Sequence, residues 1–454
     1  MDISQTTKLT KEPIPKLLLS FCSQTTMSVM LYSLQSLINT YFVAVGVGAY
    51  AAGAVALSTP VMLIIGSFAS TVGAGGASII SRALGKQDSE KAATTVANTL
   101  LLFWMISSVF SVLGLLLLNP LLELMAVDDV LMPYAKGYTE IILIGAVTAT
   151  GFSSLIRAEG NIRFSIYQWT VSALVNLILD PLFIFYFDMG VEGAALATVL
   201  SQMVSMGLCM YYYFLSKRHV FSIYRRHFRM RPALMGEILS IGSPALLSQI
   251  CNSVFLIVIN HRLGVYGGPE AISAFGIISR LKSFLFMPIS GIVQGLQPII
   301  GFNYASGLHK RVKEAIRVSI LAAILYGLVI MLLCMIMPGE LIRIFIHEEQ
   351  IVSIGIPALQ AIALSFPFMG VLTITAAYCQ STGKAVFAFA LPTMSVVLIS
   401  MPTLYILSWL FELKGLWFTY LVSDGIMFLI SICFLQLILK RQNENEMGRV
   451  LHDK

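Results

Sequence analysis

Charge is what this chain has least of. Asp, Glu, Lys and Arg make up 11% of its 454 residues, against about a quarter in a soluble domain. With 57% hydrophobic residues and a mean hydropathy of +0.84, a soluble chain could not cover its own surface, and lipid is the expected solvent. Strand-type alternation is missing as well, which argues against a membrane β-barrel. The six cysteines (Cys22, Cys209, Cys251, Cys334, Cys379, Cys433) form no Cys-x-x-Cys and all fall in apolar runs. They read as small packing residues, not as disulfide partners or metal ligands. The histidines fall in loops or near helix ends, so no metal site is expected inside the membrane. Gly-x-Ser-x-Gly and His-Glu-x-x-His are absent, and Gly73, Gly75 and Gly76 in GAGGAS are not followed by Lys-Ser/Thr. A P-loop is thereby excluded, and helix packing by small residues is the better reading. Neither ATP hydrolysis nor covalent catalysis finds support, and no catalytic residue is assigned. After Lys8, Lys11 and Lys16 no small-x-small site closes a short apolar stretch, so the start reads as an uncleaved first span.

What is present is a series of long apolar runs, each of the length that crosses a bilayer as helix. They predict twelve spans: 14–45, 50–81, 92–118, 132–156, 164–187, 191–215, 236–263, 270–303, 312–337, 351–380, 385–411 and 415–440. Prolines at 60, 244, 288, 298, 367 and 402 are candidate kinks. With both termini placed inside, inner segments hold 23 of the 29 Lys and Arg. This bias predicts a multi-pass protein of the cell (inner) membrane with both ends cytoplasmic. The outer loops are acidic, with Asp128, Asp129, Asp188, Glu192, Glu348 and Glu349. The net charge of +6 therefore calls for no nucleic acid. The basic 217–231 stretch reads as a topology signal in contact with lipid headgroups.

The chain also repeats itself. LINTYFVAVG at 37–46 resembles VINHRLGVYG at 258–267, pairing Asn39 with Asn260. RAEGNIRF at 157–164 resembles QSTGKAVF at 380–387, and GAALATVLSQ at 193–202 resembles GLWFTYLVSD at 415–424. The matches share an offset of 221–223 residues. Six spans per repeat is an even number, so both halves enter from the same side and are related by an axis along the membrane normal. The predicted parts are a first lobe at 1–216, a basic cytoplasmic connection at 217–235, a second lobe at 236–440 and a polar tail at 441–454.

Ionisable residues inside apolar spans are costly and point to function by default. Asp180 lies in SALVNLILDPLFIFYF, with Asn176 one turn earlier on the same face. Asn39 is at a similar depth on the first span, which carries Ser28, Tyr32, Gln35 and Asn39 as a polar stripe at helical spacing. This set reads as a proton or cation site facing a wet cavity. The plainer alternative is a structural carboxylate that caps a kink near Pro181. Arg280 and Lys282 in the eighth span either serve substrate passage or snorkel and pair within the lobe. Asp424 occupies the repeat position of Gln202. It is either a functional acid, a partner for Arg280 or a polar packing group. Candidates for the substrate path are Tyr32, Gln35, Gln202, Asn260, Arg280, Gln294 and Asp424. The 22 methionines read mostly as core or lipid-facing, with some able to line an adaptable apolar pocket.

The stretch NLILDPLFIF…GVEGAALATVLSQ at 176–202 resembles the multidrug and toxic compound extrusion (MATE) family. SLINTYFVA near the end of the first span, SRALGKQD after the second and PIIGFNYASG after the eighth also match. The resemblance covers essentially the whole chain and is similar to the DinF-like prokaryotic branch. It implies an all-α, V-shaped membrane fold of two six-helix lobes related by a pseudo-twofold along the membrane normal. It also implies cation-coupled efflux of lipophilic, often cationic compounds, with Asp180 and Asn176 at the cation site. This chain has Asn39 where many relatives carry Asp, and no Glu near Gln294 where some carry one. A sodium site built on several acids loses ground, and proton coupling gains. The resulting expectation is a secondary active exporter that exchanges protons, less readily sodium, for organic cations by alternating access. Its partners would be small organic substrates and membrane lipids, it would need no cofactor beyond the coupling ion, and it would be a monomer. The alternatives are a lipid-linked-precursor flippase of the same superfamily, in which Arg280 would face the cavity, and, more remotely, an intramembrane transferase. The latter would need a His/Asp or paired-acid centre that this sequence lacks.

Overall fold

In hydrocarbon, backbone N–H and C=O groups find no water, so each apolar run must close its own hydrogen bonds as a helix. The computed structural model describes residues 9–124, 131–148, 152–216, 220–346 and 348–452. Six helices form the first half: α1 (Ile14–Gly46), α2 (Ala49–Gly85), α3 (Ser89–Leu116), α4 (Met132–Gly145, resumed at Ser153–Ala158), α5 (Ile162–Tyr186) and α6 (Gly190–Leu215). Six more form the second: α7 (232–267), α8 (269–305), α9 (His309–Ile336), α10 (Glu349–Ala363 and Phe366–Ser381), α11 (385–411) and α12 (413–452). The predicted loops at 264–269 and 412–414 shrink to single residues, because Gly268 and Glu412 alone turn the chain. The last helix continues through His452 and does not end at 440. α10 bends by 50° between Ala363 and Phe366, just ahead of Pro367. Other helix irregularities fall close to prolines. π-helical turns occupy Leu182–Tyr186 after Pro181 and Ser395–Ser400 shortly after Pro392. A missing proline N–H is one way an i→i−4 ladder is interrupted.

The two halves match in their turns. Left-handed backbone occurs at Gly48 and Gly268, at Gln87 and Gly307, at Gly160 and Gly383, and at Gly190 and Glu412. Members of each pair are 220 to 223 residues apart, the spacing of the sequence repeat. Gln87 and Glu412 adopt φ of 61° and 49° despite carrying a Cβ, which costs each about 1–2 kcal/mol. Helix starts are capped where the sequence supplies an acceptor. Asp88 accepts from the Lys91 N–H at 2.9 Å, and Asn161 from the Phe164 N–H at 3.2 Å.

The lobes meet at one end, the end rich in Lys and Arg that carries the start of α1. Two seams join them, α2 with α7 and α1 with α8. A side chain at Gly75 would run into the Ile238 carbonyl, and one at Gly242 into the Thr71 carbonyl. In the other seam Gly291 packs on the Thr26 backbone and Gly295 on Cys22. Gly75 and Gly295 are repeat mates, as are Thr71 and Gly291, so the seams are one contact made twice. Polar bonds cross the same region. Thr25 donates to the Gly291 carbonyl at 2.6 Å, Ser78 to the Gln380 carbonyl at 2.6 Å, and Asn303 and Arg311 both donate to the Leu9 carbonyl. The connecting segment seals the edge through Asn98, which donates to the carbonyls of His227 and Arg229. Every one of these bonds lies at the basic end, so the molecule is a V that opens at the opposite end.

Large apolar side chains lie bare on the outside, including Leu19, Leu116 and Leu215 at 73%, 74% and 73% exposure. In water that would be a liability; in lipid it is the normal outer surface. Aromatic side chains collect at the far ends of two repeat-related helices, Tyr186 and Phe187 on α5 and Trp409 and Phe411 on α11, the position of an interfacial belt.

Candidate functional site

The first-lobe site is built by helical spacing on two facing helices. Asn176 and Asp180 stack one turn apart on α5, and Gln35 and Asn39 one turn apart on α1. Asp180 is fully buried at 0% exposure. Asn39 Nδ2 donates to both of its carboxylate oxygens, at 3.3 and 3.2 Å, and Asn176 Nδ2 donates to Oδ1 at 3.0 Å. Gln35 Nε2 donates to Asn176 Oδ1 at 3.0 Å. That bond fixes the amide of Asn176 with its oxygen turned away from the acid and its N–H turned toward it. Thr198 on α6 completes the set by accepting from Asn39 Nδ2 at 3.4 Å. Thus three helices hold one carboxylate in a shell of neutral amides, and among the described residues no cation is bonded to it. Its hydrogen bonds run to side chains, not to the backbone at Pro181, so it does not cap the π turn that follows. A membrane-buried acid without a positive partner is expensive when ionised. It is relieved by taking up a cation from water, a proton or an organic cation.

At the junction of the lobes lies a cavity of about 490 Å³. Ser28, Arg157, Trp169, Gln202, Gln294 and Gln380 are among its walls. Arg157 is one of the 23 Lys and Arg that the charge count assigns to inner segments. It extends into the structure, donating to Ser153 and Ser165 at 3.1 Å each. Its repeat mate Gln380 faces it across the pseudo-axis and accepts from Gln297 at 2.9 Å. The match of RAEGNIRF to QSTGKAVF was the signal that these two converge.

The second lobe holds a cavity of about 560 Å³, with Asn252, Lys282, Tyr420, Ser423 and Asp424 on its walls. Lys282 Nζ sits 3.5 Å from the centroid of the Tyr420 ring, a cation–π contact. Arg280, two residues earlier, is exposed and lines neither cavity, as is Asn260. The partner facing Asp424 is thus Lys282, not Arg280, and Asn260 does not reproduce the role of its repeat mate Asn39. The side chain of Tyr32 lies outside the described residues. No cluster of three or more His, Cys, Asp or Glu that could hold a metal occurs among the described residues.

Buried amides around one acid, two lobes and twelve helices define a polytopic membrane protein with a buried carboxylate in its first lobe and polar cavities between and within the lobes. The MatE family profile matches residues 25–182 and 244–406, one match in each lobe. The chain belongs to the MatE family. It is similar to the multidrug export protein MepA of Staphylococcus haemolyticus, 27% identical over 407 residues that cover 87% of this chain and 88% of the relative. MepA of Staphylococcus aureus strain MRSA252 is 25% identical over 434 residues, 95% of each chain. Among solved structures, a MATE protein in the bent conformation superimposes with a TM-score of 0.91 at 21% identity, covering 97% of this chain and 99% of that one. An outward-facing multidrug resistance MATE transporter gives 0.90 at 22%, covering 96% and 98%.

Proposed function

We propose that this protein is a secondary active exporter of lipophilic organic cations, driven by exchange for protons and having no enzymatic activity. The observation that carries the reading is Asp180, a fully buried carboxylate whose hydrogen-bond donors are neutral amides on α1 and α5. A proton and an organic cation both neutralise it, and they compete. By linkage, each weakens the other by the same factor, which is the thermodynamic requirement of an exchanger. The V opens at the end opposite the basic segments, which by the charge bias is the outside. Rocking of the lobes about the α2–α7 and α1–α8 seams would present the same site to the cytoplasm. The named multidrug export relatives support the same reading. Proton is favoured over sodium because Asn39 stands beside Asp180 where a second acid would help to build a sodium site, leaving one titrating carboxylate among neutral amides. The same charge bias supports a cytoplasmic side for the 217–235 connection and both termini.

The test is a susceptibility panel in an efflux-deficient bacterial host. The wild-type chain is expected to raise the tolerated concentration of lipophilic cations. Asp180→Asn, present in the membrane in equal amount, is expected to give the level of the empty vector. Full protection by Asp180→Asn would reject the site.

A further inference from the structure

Arg157 brings a positive charge to the junction of the lobes, and nothing described around it is negative. We propose that the cavity between the lobes is a site for lipophilic organic monoanions, carboxylates or sulfonates, held at Arg157. The side chain lines both the cavity of about 490 Å³ and a small crevice on its cytoplasmic side, where the V closes. Its Nη1 donates to the hydroxyls of Ser153 and Ser165, which are neutral. Among the described residues Arg157 has no ion pair, and Nε and Nη2 make no hydrogen bond. The nearest acid along the chain, Glu159, is turned away, toward the Tyr212 hydroxyl and the Val220 N–H. None of the described residues lining either space is acidic. The other polar groups present are able to donate. The amides of Gln202 and Gln294 line the cavity without a hydrogen bond among the described residues. Ser381, 1% exposed, leaves its hydroxyl without a partner in the crevice.

An unpaired guanidinium inside a membrane protein is costly and calls for a counter-charge. Its free edge is a fork of two N–H donors that matches the two oxygens of a carboxylate or sulfonate. The repeat mate of Arg157 is Gln380, so the second lobe neither doubles nor balances the charge. One fixed positive charge is neutralised by a monoanion, whereas a dianion would leave a negative charge buried. The rest of the wall, with Val29, Met62, Ile65, Ile142 and Trp169, suits an apolar or aromatic body. A cavity of this volume takes one drug-sized molecule, not a two-tailed lipid. The site is separate from Asp180, and it extends the protein's ligands to compounds of the opposite sign.

The experiment is equilibrium dialysis with the full-length protein in phosphatidylcholine nanodiscs and no gradient imposed, so that its failure leaves the reading of Asp180 untouched. The probes are dansylglycine, a lipophilic carboxylate, and dansylglycinamide, its neutral counterpart of the same shape. Wild type is expected to bind the carboxylate about 10-fold more tightly than the amide, the size of one well-met charged contact. Arg157→Gln should make the two affinities equal. Gln294→Glu keeps the guanidinium and adds a carboxylate to the walls that both residues line. It should likewise abolish the preference, and it carries the test if Arg157→Gln does not fold. Dihexanoyl phosphatidylglycerol, added below its micellar concentration, should not displace dansylglycine. Displacement at equal concentration would assign the site to a lipid headgroup and overturn the proposal. Equal wild-type affinity for the two probes, or a preference that survives in Gln294→Glu, would overturn it as well.

Discussion

In the first lobe an acid is buried among the amides of Asn39 and Asn176, which Gln35 and the Thr198 hydroxyl brace, and among the described residues nothing positive is bonded to it. In the second lobe a less fully buried acid, Asp424, shares its cavity with Lys282 and an aromatic ring. The two lobes are repeats of one another, with turns of the same handedness 220 to 223 residues apart, yet Asp180 lies on α5 and Asp424 on α12, the repeat mate of α6. A shared backbone therefore does not fix shared chemistry. A lone carboxylate exchanges one cation for another, whereas a carboxylate with a fixed ammonium nearby is balanced already. Coupling is thus expected to reside in the first lobe.

The comparison is broken most severely at the seam on which both lobes turn. Gly242→Leu would drive a side chain into the Thr71 backbone, which cannot yield as a flexible side chain could. Overpacking of this kind costs about 1–3 kcal/mol or more, so flux should fall about 100-fold, and distances between spin labels across the basic end should lengthen. Unchanged flux with unchanged distances would show that the seam is not the pivot.

The next largest effect separates the ends of the first lobe. Glu159, between α4 and α5 and outside the spanning helices, is fully buried, accepts from the Tyr212 hydroxyl at 3.1 Å, and leaves Oε1 without a partner. Burial pushes its carboxyl from the ordinary 4.5 up to about 7. Since the folded protein holds this proton more tightly than the unfolded chain, stability is greatest below pH about 4.5 and falls as pH rises toward 7, by about 3 kcal/mol in all. Glu159→Gln should remove that slope in thermal unfolding between pH 5 and pH 8 and stabilise the protein at the upper end. A slope unchanged by the substitution would assign the effect to another group.

A smaller change tests how far the single charge matters. Asn39→Asp would place a second carboxylate within about 3 Å of the first, and the two together should hold an additional proton. Exchange of two protons for one monovalent cation moves a charge, so flux should become sensitive to membrane potential, worth about 2.3 kcal/mol per charge per 100 mV. Flux indifferent to potential in this variant would argue against Asp180 as the counting group. The smallest effect is that of Thr198→Val, which removes one weak acceptor from Asn39. A loss of about 1 kcal/mol should weaken substrate binding roughly 3–5-fold and leave protein abundance unchanged.

The spans, the repeat and the association of Asp180 with Asn176 and Asn39 were legible in the sequence, because polar residues one turn apart in an apolar run can only mark one face. Thr198 was not legible, since a threonine in a helix can bond its own backbone and gives no outward sign of a partner. Lys282 was obscured by its neighbour. Residues two apart on a helix point to nearly opposite sides, so Arg280 and Lys282 could not both face the cavity. Lipid and protein core are equally apolar, so hydropathy does not say which one does. Arg157 was hidden by its place at the end of α4, where a basic residue reads as topology. The turns at Gly268 and Glu412 were read as loops because single-residue reversals leave almost no polar stretch behind.

The central claim is that one titrating carboxylate in the first lobe couples transport, and the most direct measurement is substrate flux in proteoliposomes with pH, sodium and membrane potential imposed one at a time. For the wild-type chain the account predicts flux that follows the pH gradient, ignores potential and needs no sodium, and for Asp180→Asn no driven flux at all. Flux driven by sodium alone with no response to pH, or wild-type flux from Asp180→Asn, would contradict it.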